Sequence, residues 1–193
     1  MKLAIFGGTF DPIHKAHLAI ARKAVGRFGL DRILIVPAAH PPHKAGVTHA
    51  PYEHRVRMAE LACRGRPAFA VSRLEAGAGR SYSIDTIETV RAGMAPDDEL
   101  FFLIGADAFA EIRTWHRWTD VARAVRFLVV SRPGQSYETP PDVRLDRLDS
   151  VDLAISSSAI RRALAAGRRP PEVSKRVLAY ILEHALYGTP MTA

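Results

Sequence analysis

Four apolar residues, Leu3–Phe6, run directly into Gly7-Gly8, and from Ile13 the apolar spacing becomes helical and stays so through Arg27. An apolar run bounded by glycine suits a buried strand, and the following amphipathic stretch suits a helix. Glycine at 7 and 8 lets the main chain turn and be approached closely where a side chain would intrude. Pro12 sets the turn before the helix. The unit is therefore strand, glycine-rich turn, helix. The start of such a helix carries N–H groups and a partial positive charge that suit a phosphate. His14 and His17 stand three apart, so on a helix they share a face. Two imidazoles at a glycine-lined phosphate cradle point to stabilisation of charge on a reacting phosphate. The spacing matches neither the dinucleotide fingerprint nor the P-loop. A zinc reading of His14 and His17, with Asp11 as a third ligand, is the alternative for this pair, and it carries the weaker ligand count.

The rest of the chain repeats the alternation. Strands are predicted at Ile33–Val36, Phe69–Ser72, Leu100–Ile104 and Phe127–Val130. An irregular strand is expected over Val143–Leu148 and a last one at Leu153–Ile155. Helices are predicted over Tyr52–Arg64, from Ser83 to Arg91, from Thr119 to Ala124, from Ser157 or Ser158 to Gly167, and over Glu172–Leu186. Buried strands alternating with helices imply an α/β fold: a Rossmann-like, doubly wound, mostly parallel sheet with helices on both faces. One domain accommodates all 193 residues. In such sheets ligands bind beyond the carboxyl ends of the strands. The Gly7-Gly8 turn, Gly105-Ala106-Asp107 and Ser156–Arg161 each follow a predicted strand and are expected at one edge.

Composition narrows the setting. The single cysteine, Cys63, excludes an intramolecular disulfide and fits a reducing, cytoplasmic location. No run approaches the ~18 apolar residues of a membrane helix. A net charge of +7 and a pI of about 10.0 favour anionic partners. A basic nucleic-acid-binding protein is the rival of a different class, but the basic residues are scattered and no nucleic-acid motif accompanies them.

Beyond these physical readings, the chain resembles the nucleotidylyltransferase superfamily with the H-x-G-H motif and, more narrowly, its bacterial nicotinate mononucleotide adenylyltransferase family. The resemblance runs from residue 3 to about residue 186. It rests on G-G-T-F-D-P-I-H-K-A-H-L at Gly7–Leu18, P-P-H-K at Pro41–Lys44, Y-S-I-D-T at Tyr82–Thr86 and G-A-D at Gly105–Asp107 with Trp115 downstream. R-P-G at Arg132–Gly134 and I-S-S-S-A-I-R at Ile155–Arg161 complete it. Two positions depart from the pattern: Ala16 replaces the glycine before the second histidine, and Ser158 replaces a threonine.

The resemblance implies transfer of the adenylyl group of ATP to nicotinate mononucleotide, giving deamido-NAD and pyrophosphate, with Mg2+ carried on the ATP phosphates rather than in a carboxylate cage. Nicotinamide mononucleotide or phosphopantetheine is the alternative acceptor. It further implies that His14, His17, Lys44 and Arg161 act on the reacting phosphates. Gly7, Gly8, Thr9, Phe10, Gly105, Asp107, Arg132, Ser156, Ser157, Ser158, Ile160 and Arg161 are expected to line ATP. Thr9, His43, Lys44, Asp85, Thr86 and Trp115 are expected to line the acceptor, and the helical part at about 157–187 to complete the ATP site. ATP and the mononucleotide are the expected partners, without nucleic acid or membrane; the oligomeric state is left open. Several of these residues also have plainer readings. Trp115 and Trp118 suit anchors of a loop on the core, Asp85 suits the dipole of its helix, Asp107 suits a cap, and Arg161 beside Arg162 suits a solvated face.

Overall fold

The alternation of apolar strands and amphipathic helices folds as one sheet clothed on both faces. The computed structural model describes residues 1–40, 48–77, 79–131, 136–149 and 155–190. Six strands lie in the order β3-β2-β1-β4-β5-β6, every pair parallel. They are β1 (Lys2–Gly8), β2 (Arg32–Pro37), β3 (Phe69–Val71), β4 (Glu99–Gly105), β5 (Arg126–Ser131) and β6 (Leu145–Asp149). The helices are α1 (Lys15–Phe28), α2 (Tyr52–Cys63), α3 (Ser83–Ala92), α4 (Ala106–Ala110), α5 (Trp118–Ala124), α6 (Ser157–Ala165) and α7 (Lys175–Glu183).

Strand parity explains the two layers. Ala4, Phe6, Ile33, Ile35, Phe101, Leu103 and Leu128 point to one face, where they pack with Leu18, Ala21, Met58, Ala59, Ile160, Leu164, Val177 and Ile181 of α1, α2, α6 and α7. Leu3, Ile5, Val36, Leu100, Phe102, Ile104, Phe127 and Val129 point to the other, against Ile84, Ile87, Phe109 and Val121 of α3, α4 and α5. Both parities are apolar because both faces are buried, which is the signature of a parallel sheet. Each large side chain fully withdrawn from water contributes roughly 1.5–3 kcal/mol.

The sequence expectations hold for the sheet interior and shift at the ends. The helix expected from Ile13 begins at Lys15, with His14 as its extended N-cap. Gly29, at φ 62°, ends it in the left-handed region that a Cβ disfavours. The helix expected to be capped by Ser157 or Ser158 is capped by Ser156, whose Oγ accepts from the Ala159 N–H. The helix expected over Glu172–Leu186 is shorter, Lys175–Glu183, capped by Ser174. The helix expected to be capped by Thr119 is capped two residues earlier by Arg117, in the left-handed region, and begins at Trp118. Of the strand expected at Leu153–Ile155, Leu153 and Ala154 lie outside the described residues, and Ile155 itself is not in a strand. Among the described residues no helix is long and apolar enough to cross a membrane.

The strand order places the reversal of winding between β1 and β4: the chain moves outward through β2 and β3, then returns to the opposite side of β1. Parallel sheets receive ligands beyond the carboxyl ends of their strands at this reversal. Gly8 ends β1 and Gly105 ends β4 at that point.

Candidate active site

The turn after β1 is built around an aromatic ring. Phe10 is 3% exposed and adopts φ 49°, a left-handed conformation that costs a non-glycine residue ~1–2 kcal/mol. Its ring occupies the space a side chain at Gly8 would need: a Cβ there would stand 2.9 Å from Phe10 Cζ. Gly8 is therefore glycine for room; it lies in β1 outside the left-handed region, so backbone freedom is not what the position requires. The Phe10 ring lies edge-on to His17 at 5.1 Å and to Phe6 at 5.4 Å. Ala16 is buried.

The two histidines come together. Their rings stack with centroids 3.7 Å apart and planes 22° from parallel. The His14 main-chain N–H donates to His17 Nδ1 at 3.2 Å. An accepting Nδ1 leaves the proton of neutral His17 on Nε2. His14 is buried, and burial lowers its pKa to about 4. It is neutral near pH 7. Its ring faces the His17 amide in the manner of a capping box, but Nδ1 falls short of hydrogen-bond geometry and is buried without a partner among the described residues.

Asp11 holds the turn to the rest of the fold. It is 3% exposed, and its carboxylate accepts from the His49 N–H at 2.7 Å, the Ala50 N–H at 3.2 Å and the Tyr187 hydroxyl at 2.7 Å. Both oxygens are thereby engaged, so the third ligand of a zinc reading is occupied elsewhere. Among the described residues no cluster of three His, Cys, Asp or Glu side chains is arranged to hold a metal. The adjoining carbonyls are also used: Asp11 O accepts from Arg161 Nη1 at 2.7 Å, and Pro12 O from Ser157 Oγ at 3.1 Å. Arg161 and Ser157 thus reach the histidine turn through its main chain. Ser156 caps α6 and lies 3.3 Å, oxygen to oxygen, from Ser158. Ile160 is placed differently from a ligand-lining residue: its side chain is in the core and its N–H is bonded to Ser156 O.

A second device was not legible in the sequence. Arg55 of α2 is 1% exposed. Its guanidinium donates to four carbonyls: Thr9 O at 2.8 Å, Ala38 O at 2.7 Å, Ala39 O at 3.4 Å and Ala50 O at 3.1 Å. It ties the glycine turn to the segments that follow β2 and precede α2. Its one sequence signal is position: Arg55 shares a helical face with Met58, Ala59 and Ala62, where an apolar residue is expected.

On the α3–α5 side of the turn lies a cavity of about 590 Å³, lined by Gly7, Gly8 and Thr9 after β1, Phe102–Gly105 of β4, and Tyr82, Ser83, Trp115 and His116. Trp115 is half-buried and stands edge-on to Phe102 at 5.8 Å, so it both anchors its loop and presents a surface to the cavity. Tyr82 and His116 pair at 4.4 Å. Of the Tyr82–Thr86 segment, the cavity meets Tyr82 and Ser83 at the start of α3. Thr86 is turned inward and donates to Glu75 Oε1 at 3.0 Å, and Asp85 is exposed on the helix; neither lines the cavity. Asp107 is exposed in the first turn of α4 and also lies off the cavity lining. A Cβ at Gly105 would meet nothing within 4 Å. Ser83, read from the sequence as a helix cap, is the first residue of α3 and lines the cavity, where the sequence points to Asp85 and Thr86 instead. His43, Lys44 and Arg132 lie outside the described residues.

The chain is similar to known proteins along nearly its whole length. The cytidylyltransferase-like family matches residues 5–163. A protein of Solibacter usitatus named "Probable nicotinate-nucleotide adenylyltransferase" is 72% identical over 188 residues, 97% of this chain and 100% of that protein. The chain belongs to the nicotinate-nucleotide adenylyltransferase family. The Thermus thermophilus relative of the same name is 42% identical over 97% of this chain and 100% of its own length. The fold is that of the Plasmodium falciparum nicotinic acid mononucleotide adenylyltransferase complexed with NaAD, with a TM-score of 0.79, 19% identity and 99% of both chains covered.

Proposed function

We propose that this chain transfers the adenylyl group of ATP to nicotinate mononucleotide, releasing pyrophosphate and forming deamido-NAD, a step of NAD biosynthesis. The observation that carries the reading is the stacked His14–His17 pair on the glycine turn at the reversal of winding, beside an aromatic-lined cavity. The acceptor's nucleophile is a phosphate oxygen that is already anionic, so little proton abstraction is required. Catalysis then rests on placement and on stabilising charge at the α-phosphorus and the departing pyrophosphate. His17 Nε2–H is the donor for that charge. His14, held neutral by burial, gives it a flat, uncharged neighbour.

The triphosphate runs over the Gly7–Phe10 main chain toward the start of α6. There Ser156, Ser157, Ser158 and Arg161, with the partial positive charge of the helix end, suit its β- and γ-phosphates. Asp107, Gly105 and Arg132 are the proposed adenosine-side contacts, and His43 and Lys44 the proposed contacts to the acceptor phosphate. Mg2+ suits a place on the phosphates themselves, because both Asp11 oxygens are bonded within the protein. When bound it neutralises part of the phosphate charge.

The 590 Å³ cavity suits the acceptor. Trp115 offers a face to the cationic pyridine ring. The first turn of α3, with the Ser83 hydroxyl, suits the ring carboxylate better than the inward-turned Thr86 does. The test is pyrophosphate release from ATP with nicotinate mononucleotide, nicotinamide mononucleotide and phosphopantetheine supplied in parallel. Turnover with the first should exceed the others by at least an order of magnitude; equal rates with the two pyridine nucleotides would defeat the assignment.

A further inference from the structure

Asp11 is the junction of four otherwise separate segments. Its side chain receives the end of the segment before α2 through His49 and Ala50, and the turn after α7 through Tyr187. The carbonyls of Asp11 and Pro12 receive α6 through Arg161 and Ser157. One residue further on, Ile13 leads to His14, whose N–H orients His17. Any shift of Asp11 therefore reaches both imidazoles and the helix end proposed for the triphosphate.

Of the donors to the Asp11 carboxylate among the described residues, one comes from a side chain, the Tyr187 hydroxyl at 2.7 Å. Tyr187 stands in a 3-10 turn over Leu186–Gly188 with φ 60°, next to Ala185 at φ 48° and Gly188 at φ 74°. A tyrosine and an alanine in the left-handed region are retained where their surroundings over-determine the conformation. Burial and the Asp11 carboxylate hold the phenol far above its ordinary range, so it stays a donor. Thr189 closes the same turn by donating to Leu186 O at 2.9 Å without touching Asp11.

We propose that Tyr187 is a positioning residue for adenylyl transfer, fixing the Asp11 carboxylate and through it the main chain that carries His14 and receives Arg161. The proposal rests on the functional reading above. Tyr187→Phe deletes one oxygen and leaves the Asp11 carboxylate short of a donor in a buried place. Displacement of reacting groups by a fraction of an ångström to one ångström costs up to ~100-fold in rate. Tyr187→Phe should accordingly lower kcat about 10- to 100-fold, with KM for ATP and for nicotinate mononucleotide within about threefold of the parent.

Thr189→Val loosens the turn but spares the Asp11 bond, so its kcat should stay within about twofold. Asp11→Ala removes the acceptor of the same bond, together with those of His49 and Ala50, and serves alone if Tyr187→Phe does not hold its fold in thermal melts; it should lower kcat by at least as much. The double variant should be no slower than Asp11→Ala alone. An unchanged kcat in Tyr187→Phe, an equal loss in Thr189→Val, or multiplicative losses in the double variant would each overturn the proposal. Failure of the parent enzyme to release pyrophosphate with any pyridine mononucleotide would instead overturn the functional reading.

Discussion

The two flanks of the glycine turn are built by opposite means. On the histidine flank almost every polar group is bonded within the protein: Asp11 accepts three hydrogen bonds on its side chain, Arg55 donates to four carbonyls, and His17 is seated against Phe10 and stacked on His14. On the cavity flank the rings of Trp115, Tyr82 and His116 surround open space, with Glu75, Arg80 and Glu111 also on its lining. A flank that stabilises a fleeting charge gains from groups that are already fixed when the charge appears. A flank that recognises a flat, charged ring gains from area and shape. Substitutions on the first should therefore act on turnover, and substitutions on the second on acceptor affinity.

The largest expected effect lies on the histidine flank. His17→Ala should reduce the rate of pyrophosphate release ~100- to 1000-fold, the usual cost of one charge-stabilising donor, while calorimetry still detects ATP binding. An undiminished rate would remove His17 from the chemistry. Acid should break the same flank. His14 keeps its neutral form down to about pH 4, whereas the unfolded chain takes up the proton near 6.5. Between these values the unfolded state binds more protons, so stability falls as pH drops from about 6.5 to about 4, by roughly 3 kcal/mol, and levels below. Denaturation midpoints across this window should show that slope, and His14→Asn should flatten it.

Gly8→Ala drives a methyl group toward the Phe10 ring and so disturbs the seat of His17. A loss of about 10- to 100-fold in kcat is expected, with KM for the acceptor altered less. On the cavity flank Trp115→Ala should invert that pattern, raising KM for nicotinate mononucleotide ~10-fold through lost ring contact while kcat changes little. The smallest effect belongs to Asp85→Asn. The residue is exposed and off the cavity, so both constants should stay within about twofold; a large rise in acceptor KM would return Asp85 to the site.

The contrast also sorts what was legible in the sequence. Leu3–Phe6, Leu100–Ile104 and Phe127–Val130 declare themselves because a strand buried on both faces needs apolar residues at both parities. The weaker edge strand β6 has Leu148 as its single buried residue, so its polar pattern gave an irregular prediction. Helix α4 spans five residues, too few for a period to emerge. His14 and His17 are legible as a pair because three residues bring side chains together wherever a helix begins. Arg55 and Tyr187 are not, because their partners are main-chain carbonyls or a carboxylate 176 residues away; Arg55 is marked only by its place on an apolar helical face, and Tyr187 by nothing local. Thr86 misled for the same reason: its hydroxyl answers to Glu75, a contact made by the loop between β3 and α3.

Strand β1 lies in the interior of the sheet, with a neighbour on either side and a helical layer above and below. Its amides can exchange with solvent only when the whole molecule opens, whereas the short turn around Tyr187 frays at far lower cost. Warming should thus silence the catalyst while spectroscopy still reports an intact sheet, and cooling should restore it at once. Inactivation is then expected to be a loss of alignment ahead of a loss of architecture.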